Sequence, residues 1–122
     1  MDTFAVIGGD LRQICLTEAL IADGYEVSSF ALGKMPTAAA KTASEAISGA
    51  ECIILPLPTE SGDGVLNAPL SDEQFRVRTI TDCLPENAFV CLARPSKQLA
   101  AMLSEKGIET ADYSEREEFA VL

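Results

Sequence analysis

The chain of 122 residues is 48% hydrophobic and carries a formal net charge of -10, from 19 acidic against 9 basic side chains. Such a length buries one core and fits a single domain, 1–122. The acidic surplus, with no basic run to offset it, excludes nucleic acid and anionic membrane surfaces as principal partners.

Short apolar runs recur at 4–7, 25–30, 51–55, 88–92 and 108–111, separated by stretches long enough to hold crossover helices. This alternation predicts an α/β domain whose central parallel five-stranded sheet carries helices on both faces. The first run, Phe4-Ala5-Val6-Ile7, breaks at Gly8-Gly9 into a helix that starts at Asp10. The Asp10 carboxylate is expected to accept from the Gln13 N–H while Gln13 reaches back, and Gly24 ends the helix. Cys15, Leu16, Ala19 and Leu20 form its expected inward stripe. Between Gly33 and Gly49 the Ala/Thr/Ser-rich composition predicts a loop followed by a short helix ending near Ile47. Ser71 and Gln74 have capping-box spacing, which predicts a helix running to about Cys83, before Pro85. Ser96 opens the next helix and Gly107 closes it.

Cys15, Cys52, Cys83 and Cys91 include no closely spaced pair, so reduced, buried thiols are expected. With no histidine in the chain, a Ser-His triad is excluded and a zinc centre lacks its usual ligand. No apolar stretch approaches the roughly 20 residues of a membrane span, and the amino terminus lacks a basic leader region, so a cytoplasmic location is expected. The last residues, Ser114-Glu115-Arg116-Glu117-Glu118 and then Phe119-Ala120-Val121-Leu122, read as a helix start that stops on uncovered apolar side chains. A longer chain with a second domain is the expectation, and a homo-oligomer is the way an isolated domain would hide that end.

Ligands of open parallel sheets sit beyond the carboxyl ends of the strands. The segments that follow the strands therefore hold the candidates: Gly8, Gly9, Asp10, Arg12 and Gln13 after the first, 56–64 after the third, Arg94, Pro95 and Ser96 after the fourth, and Tyr113 and Arg116 after the fifth. Arg12 stands at the edge of the buried stripe, where its guanidinium either binds a carboxylate bidentately or pairs with Asp10 or Glu18. Asp10 is either a plain helix cap or a group that orients Arg12 or relays a proton. The loop 56–64 is either an anion cradle, with Thr59 and Ser61 hydroxyls beside backbone N–H groups, or a solvent turn whose Asp63 repels anions. A dinucleotide turn is absent, because Gly8 and Gly9 are adjacent, Gln13 takes the later glycine's place, and Ala31-Leu32 stand where a ribose-binding acid belongs.

Three ordered motifs, Ala5-Val6-Ile7-Gly8-Gly9-Asp10 with Arg12-Gln13, Ile53-Ile54-Leu55-Pro56 with Gly62-Asp63-Gly64-Val65, and Tyr113 with Arg116-Glu117-Glu118-Phe119-Ala120-Val121-Leu122, resemble the amino-terminal domain of the dipicolinate synthase A-subunit. The resemblance implies a flavodoxin-like (Rossmann-like) three-layer sandwich forming the substrate side of a two-domain protein. It implies that NAD(P) is held by a downstream domain and that no cofactor binds within this chain. The implied reaction makes dipicolinic acid during sporulation from a dihydrodipicolinate-type intermediate of lysine biosynthesis, with a small dicarboxylate as substrate and the dipicolinate synthase B-subunit for a partner. Matched to the motifs, Gly9, Asp10, Arg12, Gln13, Thr59, Gly62, Gly64 and Arg116 are the implied substrate-binding residues. Leu92-Ala93-Arg94-Pro95-Ser96 departs from the glycine-containing turn of that family. The contrasting expectation is a stand-alone flavodoxin-like module for small-molecule sensing or partner docking.

Overall fold

A computed structural model of the chain describes residues 2–33, 39–56, 59–62, 64–71 and 73–112. Strands β1 (Thr3–Ile7), β2 (Glu26–Phe30), β3 (Cys52–Ile54), β6 (Phe89–Leu92) and β7 (Glu109–Asp112) pair in parallel in the order β2-β1-β3-β6-β7. Between them lie helices α1 (Leu11–Ala22), α2 (Ala43–Ile47), α3 (Val77–Thr81) and α4 (Lys97–Glu105) and a small hairpin of β4 (Glu60–Gly62) and β5 (Val65–Leu66). The five-stranded parallel sheet predicted from the apolar runs is present, and its order is the flavodoxin-like one.

Alternate residues of each strand feed different layers, as the two-residue repeat of a strand demands. Ala5, Ile7, Ile53, Leu55, Val90 and Leu92 point into the main core, where Ala46 and Ile47 of α2, Val77 and Ile80 of α3, and Leu99 and Leu103 of α4 cover them. Val6 points the other way, into a smaller cluster with Ile14 of α1 and Leu32. Burying each of the larger side chains is worth about 1.5–3 kcal/mol, so the α2/α3/α4 side contributes most of the stability.

Helix α1 differs from its expected stripe. Gln13, Ile14 and Thr17 are its buried residues, whereas Cys15 and Ala19 are exposed. The helix is turned so that Thr17 donates its hydroxyl to the Gln13 carbonyl at 2.8 Å, which lets two polar residues occupy the inward line beside Ile14. Its start differs as well: Asp10 caps the Arg12 N–H at 3.0 Å, and the Gln13 N–H goes to the Asp10 carbonyl instead. Cys52 is buried, but Cys91 and Cys83 are only partly covered, which with Cys15 corrects the expectation of four buried thiols.

The helix expected from Ser71 to Cys83 is shortened to Val77–Thr81. Ser71 caps only Glu73, and the Phe75 carbonyl accepts from Leu66 while Arg76 bridges Val65, so the chain at 75–76 is extended against the hairpin and cannot be helical. Phe75 is held there by Phe30, ring centres 4.9 Å apart. By contrast α2 ends at Ile47 as expected, with Thr42 accepting from Glu45, and α4 begins after its expected cap Ser96, which accepts from Leu99. Among the described residues no helix is long and apolar enough to cross a membrane.

Candidate functional site

The strand order reverses between β1 and β3, and the crevice beyond their carboxyl ends is where this architecture holds ligands. The β1–α1 turn forms one wall. Gly8 and Gly9 have φ of +66° and +97°, and their close contacts require glycine: a Cβ on Gly8 would stand 2.9 Å from the Asn67 carbonyl oxygen, and one on Gly9 would collide with Gln13 Cγ and stand 3.1 Å from Pro56 Cβ. Both N–H groups are engaged, Gly8 to the Phe30 carbonyl and Gly9 to the Asn67 carbonyl, each at 2.7 Å.

Asp10 and Arg12 form a two-pronged pair. Nε donates to Oδ1 and Nη2 to Oδ2, both at 3.0 Å, with the Arg12 and Asp10 side chains 67% and 44% exposed. Hydrogen bonds from the Arg12 side chain, followed by that from its backbone, hold the Asp10 carboxyl below its usual value. A carboxyl kept ionised in this way orients the guanidinium rather than carrying a proton near neutral pH. Gln13, the next residue, is 8% exposed, and its Nε2 is fully enclosed without a hydrogen-bond partner.

In the 56–64 loop the described residues Pro56, Thr59, Glu60 and Gly64 are bonded into the fold. Thr59 is fully buried: its hydroxyl donates to the Pro56 carbonyl and accepts from the Ala93 N–H, both at 3.1 Å. Its N–H donates to the Ala93 carbonyl and its carbonyl accepts from Asn67, so Thr59 fastens β3, β6 and the hairpin together. Gly64, at φ +70°, gives its N–H to Glu60 Oε2 at 3.1 Å, and its carbonyl accepts from Val77. The other oxygen of Glu60 accepts from the Ser96 N–H at 3.0 Å. These bonds correct the expectation of an open anion cradle, because Thr59 and Gly64 are engaged within the fold and a carboxylate of the chain itself receives the amides. Gly62 lies in β4, paired with Val65. Arg116, Tyr113 and Asp63 lie outside the described residues.

Glu60 and Asn67 are not singled out by the sequence, although Asp63-Gly64 is a two-residue hairpin signal that points to the strand of Glu60 and to the one that Asn67 follows. Arg94 turns through a left-handed conformation, φ 51°, immediately after β6. A glycine adopts that conformation freely, and its absence there is the departure noted in the sequence. An open groove of about 760 Å³ between α3 and α4 is lined by Glu60 together with Arg76, Arg78, Lys97, Val77 and Met102.

A doubly wound sheet with a glycine turn at its reversal point and a charged helix start beside it places the chain among the open, flavodoxin-like α/β domains. The chain belongs to the family of N-terminal domains of the dipicolinate synthase A-subunit, whose model matches residues 3–114. Two crystal structures share its fold: the dipicolinate synthase A chain from Bacillus subtilis, TM-score 0.81 at 22% identity, and the dipicolinate synthase A-subunit from Bacillus halodurans, TM-score 0.79 at 18% identity. Each match covers 98% of this chain, which spans only 42% and 43% of those two chains. No curated protein gives a significant match.

Proposed function

We propose that this chain is the substrate-side domain of a dipicolinate synthase and that it holds a small dicarboxylate at the carboxyl edge of the sheet, beside Arg12. The reaction forms dipicolinic acid from a dihydrodipicolinate-type intermediate during sporulation, with a domain outside this chain binding NAD(P) and the B-subunit of the synthase as partner. The described residues do not fit a dinucleotide. Its pyrophosphate needs free N–H groups at the first turn, whereas those of Gly8 and Gly9 are engaged and the Asp10 carboxylate stands beside them.

The observation that carries the reading is the exposed Asp10–Arg12 pair at the reversal point. With Asp10 orienting the guanidinium, a charge-assisted hydrogen bond from Arg12 to a bound carboxylate is worth about 1.5–3 kcal/mol. Arg12→Ala in the complete synthase is expected to lower kcat/KM by about 10-fold or more, by the same arithmetic, with little change in melting temperature. An unchanged kcat/KM would remove Arg12 from the site. The groove lined by Arg76, Arg78 and Lys97 favours a second reading, a docking module for an anionic partner. Loss of partner binding in Arg76→Glu with full catalytic activity would support it.

A further inference from the structure

The Gln13 amide is the one polar group at the candidate site that is both enclosed and unpartnered among the described residues. Its position is built by its neighbours. Gly9 has no side chain, and any Cβ there would collide with Gln13 Cγ, so the bare glycine is what allows Gln13 to fold back onto the end of β1 beside Pro56. Thr17, one turn along, spends its hydroxyl proton on the Gln13 carbonyl and leaves the amide alone. Ser29, which registers with Val6 on the α1 side of the sheet, also has an unpartnered Oγ, and the two groups do not satisfy each other.

A buried donor without an acceptor is unfavourable, and an apolar side chain of the same length would serve the fold better. Glutamine at this position is therefore unexplained by packing. We propose that Gln13 is a specificity-determining residue whose amide turns outward from its enclosed position when substrate binds, so that Nε2 donates to a carboxylate oxygen of the small dicarboxylate; this rests on the reading above that substrate binds at the β1–α1 turn. The positive end of α1 and the Arg12 guanidinium beside it favour a ligand that accepts, which selects the NH2 end of the amide over its carbonyl end. Arg12 supplies charge, and Gln13 supplies a directed hydrogen bond that rejects analogues lacking an acceptor at that point.

The test is Gln13→Met and Gln13→Glu in the synthase assembled from the full-length protein with its partner, read by melting temperature and steady-state kinetics on the dihydrodipicolinate-type substrate. Gln13→Met is expected to melt at or above the wild-type temperature while KM rises tenfold or more and kcat changes less than threefold. Gln13→Glu is expected to raise KM further, since a carboxylate repels the ligand. A KM within twofold of wild type in Gln13→Met overturns the inference at any melting temperature. So does a Gln13→Met protein that fails to fold, because an amide needed for folding is not an unpartnered one. A wild-type synthase that does not act on the substrate overturns the underlying functional reading as well, whereas an active wild type with an indifferent Gln13→Met overturns the inference alone.

Discussion

The two faces of the sheet are built on different terms. Beneath α2, α3 and α4 the buried side chains are mainly aliphatic, from Ala5 and Ile7 through Ile53 and Val90 to Leu103, and the buried Thr81 of α3 bonds its hydroxyl to the Arg78 carbonyl. Under α1, Val6 and Ile14 share the buried layer with Gln13, Thr17 and Ser29, two of which leave a polar atom without a partner. Both layers are buried, so the difference lies in chemistry: one face is optimised for burial, and the other tolerates an unfavourable term next to the candidate site. Polar residues retained against stability mark where selection has acted on something besides the fold.

The sharpest way to break this comparison is to truncate one residue on each face. Ile53→Ala, at a fully buried position, is expected to cost about 2–5 kcal/mol in chemical denaturation, the usual range for removing a buried branched side chain. Ser29→Ala removes a hydroxyl without a partner and is expected to change stability by less than about 1 kcal/mol, or to raise it. Equal losses would mean that the α1 face is as finely satisfied as the other.

A middle-sized effect separates the turn at the site from an ordinary helix end. Gly9→Ala is expected to cost about 2–3 kcal/mol, from a left-handed φ of +97° combined with the collision against Gln13 and Pro56. Gly24→Ala, at φ +93° with nothing nearby, is expected to cost only about 1 kcal/mol. Thermal melts of the two variants compare them directly, and equal shifts would show that the Gln13 contact is soft.

The smallest effect concerns the exposed rim. Asp10→Ala is expected to cost about 1 kcal/mol through loss of the α1 cap. Because Arg12 lowers the folded-state value of the Asp10 carboxyl below 3.8, its contribution is present above that pH and is lost as pH falls through the lowered value. Denaturation of the wild type and Asp10→Ala at about pH 6 and in strong acid should therefore converge at the acidic end. A gap that persists there would trace the loss to backbone effects instead.

The five strands, α2 and α4 were legible in the sequence, since apolar runs, the Ala/Thr/Ser-rich stretch ending near Ile47, the cap at Ser96 and the glycine at 107 are local signals. The shortened α3 was not. Its capping box at Ser71 was outcompeted by pairing of Phe75 and Arg76 with β5, a contact between segments that the helix periodicity cannot register. The β1–α1 turn was read as a site from its glycines and charges, yet the same residues left the pairing of Arg12 open between Asp10, Glu18 and a ligand.

By itself the sequence determined the class of fold, the glycine turn after the first strand and the lack of a dinucleotide fingerprint, because periodicity, caps and glycine spacing act over a few residues. Tertiary structure alone decided that Thr59 is an internal fastener, that Glu60 receives the amides of Gly64 and Ser96, and that Gln13 rather than Leu16 turns inward. Those outcomes depend on which segments meet across the carboxyl edge of the sheet. A hydroxyl, a carboxylate or an amide is equally at home in water or in a network, and only the neighbours that folding brings to it decide which.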